Sequence, residues 1–202
     1  MFPFTIISLF VCLSIAQPCR IMFVTKGVVQ GDFGVNPGPS PHAFADGLCN
    51  REALTMGVAR VSDPYRAGTM RFKAFLSPSP TAANHFSFNR DDCFETVAGD
   101  PVFASRADFY GGEDLLTPIT YVNGNVVVKG PVWTGSTTAG GAHTRSCFQW
   151  TTADADESGR CGTTTKLANN DWSDDNSEDC NGFYPFYCVS YTTIPPSVPT
   201  TT

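Results

Sequence analysis

Small residues recur every fourth position between residues 43 and 59 of this chain. A period near 3.6 residues is typical of a helix, so the spacing predicts one helix with a narrow face. The residues on that face are Ala45, Cys49, Ala53 and Gly57. We therefore expect another element to pack closely against it, and we expect Gly57 to end the helix.

Other short segments alternate apolar and polar residues, or carry runs of β-forming residues, and these patterns predict strands. A tight hairpin turn is also predicted, at Asn123-Gly124. Gly- and Pro-rich stretches between the strands predict long loops. One helix with several short strands predicts an α+β fold. The predicted extended segments are 20–31, 70–77, 120–128, 130–136, 145–152 and 182–191.

The two ends of the chain differ in composition from the middle. Residues 1–16 form an apolar run that ends in small residues, which is typical of a secretory signal peptide cleaved after Ala16, although no Lys or Arg leads it. A retained anchor is the alternative, but the run is shorter than the roughly 20 residues of a membrane span. Residues 17–191 then form one domain, and the Thr/Pro-rich segment 192–202 has the composition of a disordered, O-glycosylated tail.

Seven cysteines remain after the expected cleavage, and no two of them have the C-x2-C spacing of zinc sites. In an oxidising compartment such cysteines form disulfides, so we expect a secreted or cell-surface protein. Because the number is odd, one thiol is left over. Cys19, two residues into the mature chain, is the expected one, either free or joining two molecules in a disulfide-linked dimer.

The net charge of −6 argues against nucleic acids and anionic membranes as partners. The charge is uneven along the chain, since residues 51–73 are basic and residues 154–180 are acidic. Guanidinium groups suit sulfate, so the basic segment predicts a patch for anionic glycans. A solvated face is the alternative for both segments. The candidate residues of the patch are Arg51, Arg66 and Arg71.

No pattern typical of an active site occurs in the sequence. The histidines His42, His85 and His143 lie outside the motifs of nucleophilic catalysis. Adjacent carboxylates such as Asp91-Asp92 do not by themselves make an acid–base pair. We expect a non-catalytic protein, with a secreted hydrolase of unrecognised type as the weakest alternative.

Five short motifs stand in a fixed order along the chain. They are A-D-x-x-C-x-x-x-A-x-x-x-G at 45–57, F-x-A-F-L-S at 72–77, V-W-x-G-S at 132–136, C-x-x-W-x-T at 147–152 and C-x7-C at 180–188. Their order and rough spacing resemble those of the endostatin-like domains, which have the C-type-lectin-like fold. The closing F-Y-C-V at 186–189 is also similar to endostatin-related domains of unknown function in bacterial surface lipoproteins.

The resemblance implies that the terminal strands pair and that a long loop region carries any binding site. It also implies two nested disulfides, Cys49–Cys188 and Cys147–Cys180. Cys93–Cys161 is then the natural third pair. The competing option joins Cys19 to Cys93 or to Cys161.

The acidic segment before Cys180 has the composition of a calcium site, because calcium binds several oxygen ligands from one or two loops. True C-type lectins place W-N-D closer to the penultimate cysteine than Trp172-Ser173-Asp174 lies here, and the upstream E-P-N or Q-P-D is missing. The alternative is a solvated loop with the Trp172 ring in the core. The candidate calcium ligands are Asp171, Asp174, Asp175 and Glu178, and the candidate ligand-binding residues of this loop are Trp172, Asp174, Asp175 and Asn176.

Aromatic rings could also stack on sugars, and Phe109-Tyr110 and Trp133 are the candidates, although the core is their expected place. The sequence as a whole predicts an extracellular recognition or adhesion domain that binds a glycan or a matrix protein. The alternative is a structural surface or coat component that associates with copies of itself.

Overall fold

The computed structural model describes residues 19–33, 40–58, 71–77, 86, 88–111, 113–121, 123, 130–165 and 171–191. The predicted signal peptide, the Thr/Pro tail and most of the predicted 120–128 hairpin lie outside these residues. The described helices are α1 (Pro41–Thr55) and α2 (Arg106–Gly111), and a single left-handed turn, α3, lies at Cys147–Trp150. The strands are β1 (Arg20–Val24), β2 (Arg71–Ala74), β3 (Phe94–Glu95), β4 (Pro101–Phe103), β5 (Pro131–Trp133), β6 (Ser158–Thr163), β7 (Asn176–Asp179) and β8 (Tyr187–Tyr191).

The fold is mixed α+β and is built on two sheets. The larger sheet has the order β2-β8-β1-β3-β4, in which β8 runs antiparallel to both β1 and β2, and β1 runs parallel to β3. The smaller sheet is antiparallel, with the order β5-β6-β7. No helix of the described residues is long and apolar enough to cross a membrane.

The central strands β1 and β8 separate two hydrophobic cores. Because successive side chains of a strand point to opposite faces, Ile21 and Phe23 pack in one core while Met22 and Val24 pack in the other. The first core lies under α1, and the second contains Phe109 of α2. Burial on both faces explains why both strands are almost continuously apolar.

Helix α1 confirms the predicted narrow face. Ala45, Cys49 and Ala53 are buried, and the helix packs against β2. It begins two residues before the predicted start because the hydroxyl of Ser40 accepts a hydrogen bond from the Ala43 amide at 3.1 Å. Past its end lies Gly57, with a φ of +72°, a conformation that suits glycine.

The predicted strand at 145–152 is wrong. Residues 147–150 form a single turn with left-handed backbone, at φ values of 48°, 51°, 60° and 65°. This turn is held at both ends, because Cys147 is bound to Cys180 and the indole of Trp150 donates to the Ser77 carbonyl at 3.0 Å. Each non-glycine residue in this conformation costs roughly 1–2 kcal/mol, so the surrounding contacts must offset the strain.

Four predicted strands are confirmed, at shorter lengths, as β1, β2, β5 and β8. The sequence patterns did not predict α2, the short pair β3 and β4, or the pair β6 and β7. These strands are too short or too polar to give an alternating signal, since β6 reads SGRCGT and β7 reads NSED.

The structure contains both disulfides that the resemblance implies, Cys49–Cys188 and Cys147–Cys180. The third is Cys19–Cys93, so the predicted Cys93–Cys161 pair is wrong and the competing option is correct. Parallel pairing places Arg20 opposite Phe94, which makes the preceding cysteines neighbours with their Cα atoms 4.6 Å apart. Cys19 is therefore not a leftover thiol, and the predicted dimer through it is not supported.

Among the described residues the free cysteine is Cys161, which is fully buried on β6 in the smaller sheet. Burial is the main cause that raises the pKa of its thiol far above the ordinary value. The thiol is therefore protonated at neutral pH and is shielded from solvent.

We expect Cys161 to resist alkylation in the folded protein and to react once the protein is denatured. Trypsin cleaves after Arg160 and Lys166, so a short peptide carries this thiol as its single cysteine. The protein is treated with a maleimide once in buffer and once in denaturant, without reduction. Peptide mass spectrometry then measures the labelling of Cys161 in the folded and in the denatured protein. A peptide that stays unlabelled in denaturant would contradict the assignment, because it would place Cys161 in a disulfide.

We expect Gln149→Gly to raise the free energy of unfolding by about 1 kcal/mol, because glycine adopts left-handed backbone without a Cβ clash. Chemical denaturation measures the change. Gln149→Ala is the matched control, since it removes the same side chain but keeps the Cβ atom. Equal stability of the glycine and alanine variants would show that the turn is not strained.

Candidate functional site

The acidic loop that was predicted to bind calcium is built around an arginine. The Nε of Arg160 on β6 donates to one carboxylate oxygen of Asp174, and its Nη2 donates to the carbonyls of Asp174 and Asp175 at 3.1 and 3.4 Å. The other carboxylate oxygen of Asp174 accepts from the Thr138 amide at 3.1 Å. A guanidinium thus already pairs with Asp174, one of the predicted calcium ligands.

The remaining acidic candidates are not arranged around a common point. Glu178 accepts from the Asn176 amide at 2.7 Å and from the Tyr184 hydroxyl at 3.1 Å. Within the described part of the chain, no group of three or more His, Cys, Asp or Glu residues could hold a metal ion. The predicted ligand set of Asp171, Asp174, Asp175 and Glu178 is therefore not brought together.

Trp172 belongs to the core rather than to a ligand surface. It is 1% exposed, and its ring lies about 5 Å from those of Phe75, Phe103 and Phe109. The rings of Phe109 and Trp133 are fully buried as well. These aromatic residues are not accessible to a sugar, which matches the core position expected for Phe109 and Trp133.

The predicted basic patch is only partly described. Arg51 on α1 and Arg71 on β2 are both exposed, and Arg66 lies outside the described residues. The side-chain amide of Asn50 bonds to both the N–H and the carbonyl of Phe72, at 2.9 and 2.7 Å. This contact places the two arginines beside the same α1–β2 junction, and neither of them lines the clefts described below.

Two clefts that the sequence did not predict flank the first turn of α1. The aromatic cleft has a volume of about 460 Å³, and the polar cleft has one of about 340 Å³. The aromatic cleft is lined by Val28, Val29, Gln30, Asp32, Phe33, Phe44 and Phe183. The polar cleft is lined by Ser40, Pro41, His42, Asp46, Lys73, Ala74 and Gln149.

The aromatic cleft exposes large apolar side chains on a fixed floor. Phe183 is 61% exposed, Val28 48% and Phe44 37%. Beneath them Phe33 is buried, with its ring stacked at 6.1 Å on Phe44 and at 5.2 Å on Trp150. The exposed rings are therefore presented by packed elements, while an amide from Gln30 and a carboxylate from Asp32 complete the cleft lining.

The polar cleft brings two ionisable residues, His42 and Asp46, close to the left-handed turn. The Nε2 atom of His42 lies 3.1 Å from the Leu76 carbonyl, to which it donates, and Asp46 accepts from the Ala74 amide at 2.8 Å. Burial, with a smaller contribution from Lys73, lowers the pKa of His42. Gln149 reaches this cleft from the left-handed turn, and strained backbone is concentrated at functional sites in proteins.

Sequence patterns could not have found these clefts. Residues 28–33, Phe44 and Phe183 are far apart along the chain, and they meet because segment 28–31 pairs with segment 180–184. That pairing is carried by reciprocal backbone bonds between Val29 and Tyr184, at 3.0 and 3.1 Å. The one local signal is Phe44, which lies off the small face of α1 and thus had no predicted partner.

Comparison with models of known protein families gives no match, and comparison with curated protein sequences gives none either. The endostatin-like resemblance therefore rests on the motifs of the chain itself, and it stays a prediction.

We expect stability to fall as the pH drops below about 6.5, the ordinary pKa of histidine. The folded state lowers the pKa of His42, so below 6.5 the unfolded chain binds a proton that the folded chain does not, and folding loses free energy. Denaturation at pH 7.5 and 5.5 measures this loss, and His42→Gln should reduce it.

His143 contributes in the same direction, because burial also lowers its pKa. His143→Gln is therefore the matched comparison, and the double variant should have the flattest profile. A pH dependence that neither substitution changes would contradict the assignment.

Proposed function

We propose that this chain is a non-catalytic extracellular recognition domain of the C-type-lectin-like type that binds glycans through the aromatic cleft. The observation that carries the proposal is the exposure of Phe44 and Phe183 around one concave surface. Contiguous exposed apolar surface on a folded domain marks an interaction site more often than isolated apolar residues do.

The chemistry of the cleft suits a sugar ring. The apolar C–H faces of sugars pack on aromatic rings, and the two exposed phenylalanines offer such faces. Hydroxyl groups at the edge of a sugar need hydrogen-bond partners, and the Gln30 amide and the Asp32 carboxylate supply both donors and acceptors. A few polar groups around an apolar surface is the usual composition of a small-ligand site.

The scaffold around the cleft is pre-organised. Helix α1, which carries Phe44, is bound covalently to β8 through Cys49–Cys188. Gln30 is tied to the opposite wall by a hydrogen bond from its amide to the Asn181 carbonyl at 2.8 Å. A cleft that is rigid before binding loses less conformational entropy when a ligand arrives.

Three further observations support the extracellular and lectin-like parts of the proposal. The three disulfides of the structure are typical of oxidising compartments. The terminal strands β1 and β8 pair, as the resemblance to endostatin-like domains implies. The two nested disulfides of that resemblance are also present.

The same exposed surface favours one rival function, a structural component that associates with copies of itself. Besides the cleft, Leu54, Met56, Leu116 and Phe148 are exposed. Such association would be non-covalent, since Cys19 is bound to Cys93 within the chain.

We expect the purified domain to bind glycans on an array of glycans and matrix proteins, and we expect Phe183→Ala to weaken that binding by about tenfold or more. The loss follows from removal of a central exposed aromatic side chain. Phe44→Ala should act in the same direction. Leu54→Ala is the matched control, because it removes an exposed apolar side chain from the far end of α1.

The array is run with and without a calcium chelator, and we expect equal binding because Arg160 occupies the acidic loop. Binding to matrix proteins alone would support a recognition function but would contradict the proposal that the ligand is a glycan. The self-associating function would be established instead by two results together. The array would show no binding, and size-exclusion chromatography would show oligomers that Phe183→Ala dissociates.

A further inference from the structure

A third pocket lies on the other side of the larger sheet from α1. It has a volume of about 340 Å³ and is lined by Arg90, Arg106, Ala107 and Tyr110. Helix α2 carries three of these residues, and its Phe109 packs in the core that faces away from α1. This arginine pocket is therefore separate from the aromatic cleft.

Helix α2 places the guanidinium of Arg106 and the ring of Tyr110 on the same side of the helix. Arg106 and Tyr110 are four residues apart, so they lie on one face of the helix, and the guanidinium carbon is 5.7 Å from the centre of the ring. Asp108, two residues from each, does not share that face. The helix thus presents its positive residue without its own acidic residue beside it.

The second arginine comes from the turn before β3. In this turn the buried carboxylate of Asp92 accepts from the Asn89 amide at 2.8 Å and from the guanidinium of Arg20 at 3.0 and 3.1 Å. Arg20 therefore balances the charge of Asp92. Arg90 is exposed. Of the two acidic residues that follow it in the chain, Asp92 is already paired with Arg20, and Asp91 is exposed.

Tyr110 adds a neutral oxygen to the pocket. Its hydroxyl donates to the Phe86 carbonyl at 3.3 Å, and burial raises its pKa to about 12. The phenol is therefore protonated at physiological pH. With its proton directed to Phe86, its oxygen can still accept a hydrogen bond from a ligand.

We propose that the arginine pocket binds the carboxylate of one acidic sugar residue, of the uronic or sialic acid type. Guanidinium groups bind carboxylates with paired hydrogen bonds, and two arginines can hold both oxygens. The phenol oxygen of Tyr110 can accept a hydrogen bond from a sugar hydroxyl. An acidic sugar carries hydroxyl groups beside its carboxylate, whereas a Glu or Asp side chain of a peptide does not.

The net charge of the chain further limits which anionic ligands the arginine pocket can bind. A net charge of −6 repels long polyanions at a distance, so the pocket recognises a single acidic group by contact rather than by a broad positive field. This inference goes beyond the proposed function, since the pocket and the aromatic cleft lie on different sides of the sheet and either can fail alone.

The test is a titration of the folded domain with glucuronic acid and with N-acetylneuraminic acid, followed by NMR chemical shifts and calorimetry. Each sugar is paired with its methyl ester, which keeps the ring and hydroxyls but removes the charge. We expect both acids to bind at least about tenfold more tightly than their esters. Inorganic sulfate and a glutamate-rich peptide complete the set, and we expect both to bind more weakly than the acids.

Arg106→Gln and Arg90→Gln should each weaken binding of the acids about tenfold, and Arg106→Lys should recover only part of the loss because lysine lacks the fork. Arg145→Gln is the matched control, because it removes an exposed arginine that lines none of the three described pockets. Spectra that show an unchanged fold confirm that the variants report on binding. Tyr110→Phe, which keeps the ring, should remove only the hydroxyl contact.

Equal binding of acids and esters would overturn the proposal, and so would an equal loss of acid binding in Arg145→Gln. Tighter binding of sulfate or of the acidic peptide would replace the sugar by a different anion. Phe183→Ala should leave the preference for the acids over their esters unchanged, because Phe183 lies in the aromatic cleft and not in the arginine pocket. Loss of that preference in Phe183→Ala would show that the two sites are one, whereas a failed titration beside a positive glycan array would leave the proposed function standing.

Discussion

The antiparallel pairing of β1 with β8 fixes the position of almost every other element. Met22 lies opposite Val189 and Phe23 lies opposite Cys188, so each strand sends alternate side chains to the two cores. A slip of one residue would exchange the contents of the two cores and would place Cys188 on the wrong face. The Cys49–Cys188 bond therefore works together with the hydrophobic pattern, because it forms only in the correct register.

The sheet also keeps the two candidate binding surfaces apart. The aromatic cleft lies at the first turn of α1, and the arginine pocket lies at α2, on the side of the second core. A domain of this kind can contact two chemically different groups from opposite sides. The acidic loop plays another part, because the contact between Arg160 and Asp174 joins β6 to the segment before β7 and so makes the loop a structural element.

The elements that follow from local sequence were predictable, and those that depend on distant pairing were not. The spacing of Ala45, Cys49 and Ala53 was enough to place α1, and apolar runs were enough to place the central strands. The left-handed turn was not predictable, since residues 147–150 contain neither glycine nor asparagine and their apolar and polar residues resemble a strand. The third disulfide, Cys19–Cys93, was expected only as a competing option, because β3 has only two residues and gives no sign that it pairs with β1.

The candidate sites also depend on contacts between distant residues, which local sequence does not reveal. Composition drew attention to the acidic segment, but charge counting could not show that Arg160 on β6 pairs with Asp174, which lies 14 residues later in the chain. The same holds for the basic segment, whose excess charge says nothing about where its side chains meet. The arginine pocket escaped notice because Arg90 and Arg106 stand singly in the sequence, and only folding brings them to one cavity.

Arg20 and Tyr191 lie at the same end of the β1–β8 pair, and this placement has a mechanical consequence. Tension transmitted into the domain through these two points would separate the strands one hydrogen bond after another, which is the weakest way to load a sheet. The force meets a covalent bond almost at once on either side, at Cys19–Cys93 and at Cys49–Cys188. The shortest covalent path between the two points runs through residues 20–49 and 188–191 and crosses the Cys49–Cys188 bond, so that disulfide limits the extension of the domain to the length of that path.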